Sequence, residues 1–260
     1  MRLALWQGAG VPGDIEATLA EVARIAAMGA QRGADLLVFP EGFLTGYYLP
    51  GLVPGSLPDV EGALAAVGRI AARAGLGLVM GSHLGEGRVL RNSAIAFSPA
   101  GVEIGRYHKR ALFGAWEKAT FEPGQGTLLF LCAGLSVGVA ICYDVEFPEI
   151  VRPYAQLDAH LVVTPTALMA PHDRIARQVV PVRAMENQLF VAYCNRTGSE
   201  GDLDFVGLSC VCGPRGEVIA SASTGPELLL AELSLSDLVR EREENSYLGD
   251  LASIGRCGIA

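Results

Sequence analysis

The chain has 260 residues, half of them hydrophobic and only 18% charged, with a formal net charge of −8. That length supports one substantial core or two small ones, and the composition is that of a globular chain, not a disordered one. No run of Lys or Arg offsets the acidic balance, which argues against a nucleic-acid surface or an anionic membrane site. A small neutral or cationic partner fits better.

Every apolar stretch is broken by Gly, Pro or charge before it reaches the length of a membrane span. The start, MRLALWQGAG, reads as a strand whose apolar part is too short for a secretory leader. RLALWQ (2–7) is therefore the first strand, and residues 14–32 follow as a helix. There Ile15, Leu19, Val22, Ile25 and Ala26 recur at helical spacing with charges between them. DLLVFPE (35–41) is a continuous apolar strand that Pro40 stops, leaving Glu41 at its end. A second helix over 59–74 precedes the strand LGLVMGSH (76–83). RNSAIAFSPAGVEIGRYHK (91–109) has hairpin character, with Pro99-Ala100-Gly101 as the turn, and it ends on Lys109. LSVGVAICYD (135–144) reads as a buried strand with Cys142 at its end, and PEIVRPYAQLDA (148–159) as the helix behind it. HLVVTPTA (160–167), the helix RIARQVVPVRAMENQ (174–188) and LFVAYCNRTG (189–198) continue the alternation. Phe205–Ser223 holds a second hairpin around Gly213-Pro214-Arg215-Gly216. With no linker and no visible repeat, residues 1–260 are expected to form one α/β domain whose mixed strands make two sheets flanked by helices.

The six cysteines are Cys132, Cys142, Cys194, Cys210, Cys212 and Cys257. Most lie in strand-like apolar runs, which predicts reduced, buried thiols and a cytoplasmic protein. Cys210 and Cys212 point to one face of a strand, but no His cluster or second Cys pair completes a zinc set, so no metal site is expected.

Ligands gather outside the carboxyl ends of strands in α/β folds, and there Glu41, Lys109 and Cys142 stand. A thiol attacks only once its proton is removed. None of the four histidines sits in a Cys–His signature, which makes a carboxylate the better candidate base. Burial at a strand end would raise Glu41 into a range useful for proton transfer. A lysine such as Lys109 would hold the pair in register and offer charge to an oxyanion. Taken singly, each residue more often fills a bland role: a helix cap, a core thiol, a solvated cation.

Together, FPEGFLTGY, YHKRALFG followed by FEPG, and GVAICYDVEFPE resemble, in order and spacing, three blocks of the nitrilase superfamily of carbon–nitrogen hydrolases. PTALMAPHD and RAMENQLFVAYCNRTG look like its later blocks. The resemblance covers essentially the whole chain. It implies an αββα sandwich, a homodimer or higher homo-oligomer, no cofactor, and a Glu41–Lys109–Cys142 triad acting on a small amide through a thioester. Cys142 would be the nucleophile, Glu41 the base, and Lys109 with the Tyr143 backbone N–H the oxyanion donors. Glu117, eight positions beyond Lys109, matches a second glutamate of the family, with Glu122 as the alternative. The tail over 235–260 would reach a partner subunit, although a solvated helix is the commoner role for such a charge run.

Substrate choice turns on Glu146. Relatives that process ω-amides of keto or dicarboxylic acids often carry Arg at this place, whereas CYDVEF has a carboxylate, which favours an ammonium-bearing substrate. The chain thus looks most like amidases of the 5-aminopentanamide type and stereoselective carboxamide amidases. Pairing of Glu146 with Arg152 or Arg183 is the competing role. Trp116, Met169 and Ala170 are candidate lining residues. Asp202, Asp204 and Phe205 in the SEGDLDF loop border the pocket or form a solvated loop, and Asp144 and Glu149 read as structural carboxylates. A deaminated-glutathione-type or other ω-amidase, a nitrilase and an N-carbamoyl amine hydrolase would use the same triad. A non-catalytic binding protein is the reading from a different class, disfavoured by three costly buried polar groups.

Overall fold

The computed structural model describes residues 1–254, so Cys257 and the end of the 235–260 tail lie outside the described residues. The first half of the chain gives β1 (Arg2–Gln7), α1 (Ile15–Gln31), β2 (Leu36–Val38), α2 (Val60–Ala74), β3 (Gly77–Glu86), β4 (Val89–Phe97), β5 (Glu103–His108) and α3 (Gly114–Thr120). The second half gives β6 (Leu129–Cys132), β7 (Leu135–Val139), α4 (Pro148–Gln156), β8 (Leu161–Pro165), α5 (Val180–Asn187), β9 (Phe190–Cys194), β10 (Thr197–Glu200), β11 (Leu203–Val206), β12 (Cys210–Cys212), β13 (Val218–Ser221), β14 (Glu227–Glu232), α6 (Leu235–Glu244) and α7 (Tyr247–Ile254).

Two six-stranded sheets result, in the orders β14-β1-β2-β3-β4-β5 and β13-β12-β9-β8-β7-β6, with β10 and β11 a separate hairpin. Each has three parallel strands at its centre, β1-β2-β3 in one and β7-β8-β9 in the other, flanked by antiparallel strands. The two halves therefore repeat one topology although the sequence shows no repeat. Strand pairing depends on pleat and burial, which many residue combinations satisfy.

The apolar runs are continuous because both faces of each strand are covered. In β1 and β2, Leu3, Leu5, Leu36 and Val38 pack toward the second sheet with Val137, Val139, Leu161 and Val163. The alternate residues Ala4, Trp6 and Leu37 face Val22, Ile25, Leu64 and Val67 of α1 and α2. On the far side, Val151 and Tyr154 of α4 and Val180 and Ala184 of α5 cover the second sheet. These are the four layers of an αββα sandwich. Asp14 caps α1 by accepting from the Ala17 N–H at 2.9 Å, and Asp59 caps α2 through the Gly62 N–H at 2.9 Å. Cys132, Cys142, Cys194, Cys210 and Cys212 are free, buried thiols. Among the described residues no helix is long and apolar enough to cross a membrane.

Four local expectations need correction. The strand expected over 135–144 ends at Val139, and Cys142–Glu146 form a tight 3₁₀ turn. The helix expected over 174–188 opens with a widened turn at Ile175–Val179 and becomes regular only at Val180, where Pro181 takes the first turn. The segment read as a loop over 199–205 lies largely in the β10–β11 hairpin. The edge strands β6 and β14 have no counterpart in the expected elements. α6 packs back on its own chain through Leu238, while Arg242 donates to Asp158 and to the Gln188 and Ala159 carbonyls.

Candidate active site

Glu41 lies three residues past β2, in a segment that reverses sharply. Gly42 has φ +59, and a Cβ there would stand 2.8 Å from the Tyr47 Cα, so only glycine suits the turn. The turn leaves the Glu41 carboxylate with 0% exposure. Its Oε1 accepts from Asn92 Nδ2 at 2.7 Å and from Lys109 Nζ at 2.7 Å, while its Oε2 has no partner among the described residues. Lys109 leaves the end of β5 with its backbone N–H donating to the Asn92 carbonyl at 2.8 Å. Its ammonium spans two carboxylates, for Nζ also donates to Glu117 Oε1 at 2.7 Å.

Glu117 is buried on α3, where Tyr47 Oη donates to Oε1 at 2.8 Å and the Phe113 N–H to Oε2 at 2.6 Å. Glu122 is exposed, so Glu117 is the glutamate that joins the cluster. Burial pushes Glu41 above the ordinary carboxylate range, helped by the Glu117 charge and opposed by Lys109 and Asn92. Burial alone would lower the Lys109 ammonium, but Glu41 and Glu117 outweigh it and hold the group well above its usual value.

Cys142 sits just beyond β7 with φ +45, a left-handed conformation uncommon for a side chain of this kind. Asp144 holds that elbow. Its Oδ2 accepts from the Ile141 N–H at 2.9 Å and Tyr107 Oη at 2.8 Å, and its Oδ1 from the Arg110 and Ala111 N–H groups at 3.2 and 2.7 Å. Tyr107, Arg110 and Ala111 flank Lys109, so one carboxylate registers the cysteine turn of the second sheet against the lysine strand of the first. Asp144→Asn turns an acceptor into a donor facing N–H groups. It is expected to cost about 1–3 kcal/mol in the urea midpoint and to slow amide turnover; a variant equal to wild type in both would refute this role.

Cys142 is 9% exposed and lines a cavity of about 190 Å³. Burial raises its thiol well above the ordinary value, Glu41 adds to the rise, and Lys109 and the Ala167 N–H oppose it. A neutral thiol, a carboxylate with one free oxygen and an ammonium clasped by two carboxylates are the parts of a proton-coupled nucleophilic attack. Tyr143, Glu146 and Met169 line the same cavity. Tyr143 is the second residue of the 3₁₀ turn, where backbone N–H groups have no intrahelical acceptor.

Two candidate lining residues stand elsewhere. Trp116 packs behind the wall, 5.6 Å from the Tyr47 ring and 5.0 Å from that of Tyr48. Ala170 is exposed, its N–H donating to the Asp204 carbonyl at 2.9 Å. Phe205 meets Tyr47 edge-on at 5.9 Å without reaching the cavity. Glu146 pairs with neither expected arginine: Arg183 donates to the Val145 and Glu146 carbonyls, and Arg152 lies against Glu186. Its side chain faces the cavity half-buried, with no cation within 4.0 Å among the described residues. Arg174 lines the cavity as well.

Neither Asn92 nor Tyr47 belongs to the residues that the sequence singles out. Asn92 stands between Arg91 and Ser93, and its one signal is that it shares the buried face of β4 with Leu90 and Ala94. Tyr47 sits inside FLTGY, where nothing marks its hydroxyl as a partner of Glu117.

Known proteins resemble this chain over most of its length. Residues 2–242 match the model of the carbon–nitrogen hydrolase family. A relative named (R)-stereoselective amidase, from a Pseudomonas species, is 33% identical over 96% of this chain and 91% of its own. The 2-oxoglutaramate amidase of Bacillus subtilis is 30% identical over 84% and 85%. Among solved structures, a mutant of the amidase from Nesterenkonia sp. AN1, with acrylamide added to its active-site cysteine, aligns with a TM-score of 0.83. It is 34% identical, and the match covers 94% of this chain and 97% of that one. The chain is thus a hydrolase of the nitrilase superfamily and belongs to the carbon–nitrogen hydrolase family.

Proposed function

We propose that this protein is an amidase that converts a small primary carboxamide to carboxylate and ammonia through a Cys142 thioester. The observation that carries the reading is the buried Lys109 ammonium held at 2.7 Å from both Glu41 and Glu117, beside a thiol on a cavity wall. Glu41 takes the thiol proton on its free Oε2 as Sγ attacks the amide carbon. Lys109 and the Tyr143 N–H stabilise the oxyanion. Glu41 returns the proton to the departing nitrogen, and ammonia leaves. Water then gives a proton to Glu41 and hydroxide to the thioester carbon, and the thiolate is reprotonated as the acid departs. Glu117 keeps Lys109 charged and aimed.

The cavity, about 190 Å³, is smaller than the roughly 300–1,000 Å³ of sites for drug-sized ligands, which suits a short amide. The unpaired Glu146 carboxylate favours a substrate with a distal amine, such as 5-aminopentanamide. Arg174 in the same cavity favours a second reading, an ω-amide of a dicarboxylic acid, consistent with the 2-oxoglutaramate amidase relative. Ammonia release from 5-aminopentanamide, glutaramate and butyramide separates the two. The first reading expects kcat/KM for the amine to exceed that for glutaramate by about tenfold, ~1.4 kcal/mol, with Glu146→Gln erasing the gap. A preference for glutaramate, lost in Arg174→Gln, gives the second. Release from none of the three overturns the amidase reading for short amides.

The assembly is read as a homodimer in the cytoplasm. Exposed Val182 and Met185 on α5 and Leu235 and Val239 on α6 support self-association.

A further inference from the structure

Arg196 is among the largest fully buried side chains of the protein, and it lies outside the cavity. Taking a guanidinium out of water costs several kcal/mol unless partners replace the solvent. Arg196, in the link between β9 and β10, has three such contacts. It is paired with Glu200 at the far end of β10, its Nη1 donates to the Glu41 backbone carbonyl at 3.0 Å, and its guanidinium carbon lies 5.2 Å from the centre of the Phe205 ring. The other oxygen of Glu200 accepts the Tyr47 and Tyr48 N–H groups at 2.9 and 2.7 Å. One buried ion pair thus grips the segment 41–48 at both ends. That segment supplies Glu41 and Tyr47, which converge on the Lys109–Glu117 pair.

The same hairpin holds the opposite wall. The Val206 N–H donates to the Leu168 carbonyl at 3.0 Å, the Ala170 N–H to the Asp204 carbonyl at 2.9 Å, and Met169 and Phe205 form an isolated antiparallel bridge. Residues 41–48 follow β2 of the first sheet and residues 167–170 follow β8 of the second. The β10–β11 hairpin is bonded to both.

We propose that the Arg196–Glu200 pair, through this hairpin, is a positioning device that sets the Glu41 carboxylate against the Cys142 wall. The proposal rests on Glu41 acting as the base. Neither residue touches substrate. Stability alone does not explain the pair, because well-packed apolar residues of similar volume are often as stabilising as a buried ion pair. What apolar residues cannot supply is a donor to the Glu41 carbonyl and an acceptor for the two tyrosine amides. Burial lowers Arg196 only to about 10, so the pair stays charged at neutral pH.

The test compares Arg196→Met/Glu200→Leu and Glu200→Gln with wild type and Glu41→Gln. Ammonia release is measured as a function of pH with whichever of 5-aminopentanamide, glutaramate and butyramide is turned over fastest, and iodoacetamide alkylation of Cys142 is followed in parallel. In the double variant kcat is expected to fall about 10²-fold at an unchanged KM, with a lowered but still cooperative thermal melt because the Glu41 carbonyl and the Tyr47 and Tyr48 amides lose their partners. The acid limb of its pH profile should move upward, because Glu41 loses a nearby cation, and Cys142 alkylation should slow. Wild-type kcat and an unmoved acid limb in a folded double variant would overturn the proposal. If the double variant fails to fold, Glu200→Gln decides. It keeps an acceptor but loses the ion pair, so kcat should drop about tenfold, and an unchanged kcat overturns the positioning role. Full activity in Glu41→Gln removes the base assignment and the proposal with it. Loss of activity in Glu41→Gln beside an unaffected Arg196→Met/Glu200→Leu removes the positioning role alone.

Discussion

Cys142→Ala is expected to lower amide turnover by on the order of 10⁴-fold or more, with the fold and melting temperature retained. The side chain is small, and the turn that carries it is held by Asp144 instead of by the sulfur. A left-handed alanine is no more strained there than the cysteine it replaces. The variant should still bind amide, since the cavity wall from Tyr143 to Glu146 is unaltered. Burial keeps the native thiol neutral, so wild-type alkylation by iodoacetamide should depend on Glu41 as well. Single-turnover ammonia release together with a thermal melt checks both halves. Residual turnover within a few-fold of wild type would remove Cys142 from the reaction.

Lys109→Met should bring the largest loss of stability, about 3–5 kcal/mol, along with loss of activity. Both partner carboxylates are buried, and the substitution leaves them without the cation that each meets at 2.7 Å. The deficit has a defined pH dependence. Glu41 is already raised by burial, and without the lysine its folded pKa climbs further above the unfolded value near ~4.3. A group raised in the folded state favours folding when protonated. The penalty is therefore largest above the folded pKa and fades as pH falls through it. Urea midpoints at neutral and mildly acidic pH should converge toward wild type on acidification; a deficit that widened toward acid would contradict the assignment of paired, buried carboxylates.

A good part of the site was legible because each of its main residues lies within three positions of a strand end. Apolar content locates β2 and β7, the hairpin around Pro99-Ala100-Gly101 locates β5, and chain order then puts Glu41, Lys109 and Cys142 just past those strands. The resemblance favours Glu117 over Glu122, but the residues by themselves do not separate the two. Both follow Lys109 closely and both carry a carboxylate, and only the seven-residue helix α3 turns Glu117 inward while leaving Glu122 in water. Trp116, one residue away, consequently points to the aromatic cluster behind the cavity. The end of β7 was misplaced for a related reason. Ile141 and Cys142 are as apolar as the strand before them, and the break comes from Asp144 pulling the backbone into a turn through four hydrogen bonds to its carboxylate.

The sequence by itself determined the layer architecture, the strand ends that bear the acid, amine and sulfur, and the family. The alternating strands and helices and their ends follow from local periodicity, whereas the family and its αββα layers follow from the resemblance of whole motif blocks in their order along the chain. Tertiary structure decided which glutamate clasps Lys109, that Glu146 stays unpaired beside Arg174, and that Arg196 and Glu200 reach back across some 150 residues to hold the Glu41 segment. The physical reason is burial. Whether a charged group is a solvated ornament or a fixed partner depends on which other charges share its dry surroundings, and those are brought together by sheet pairing across distant parts of the chain.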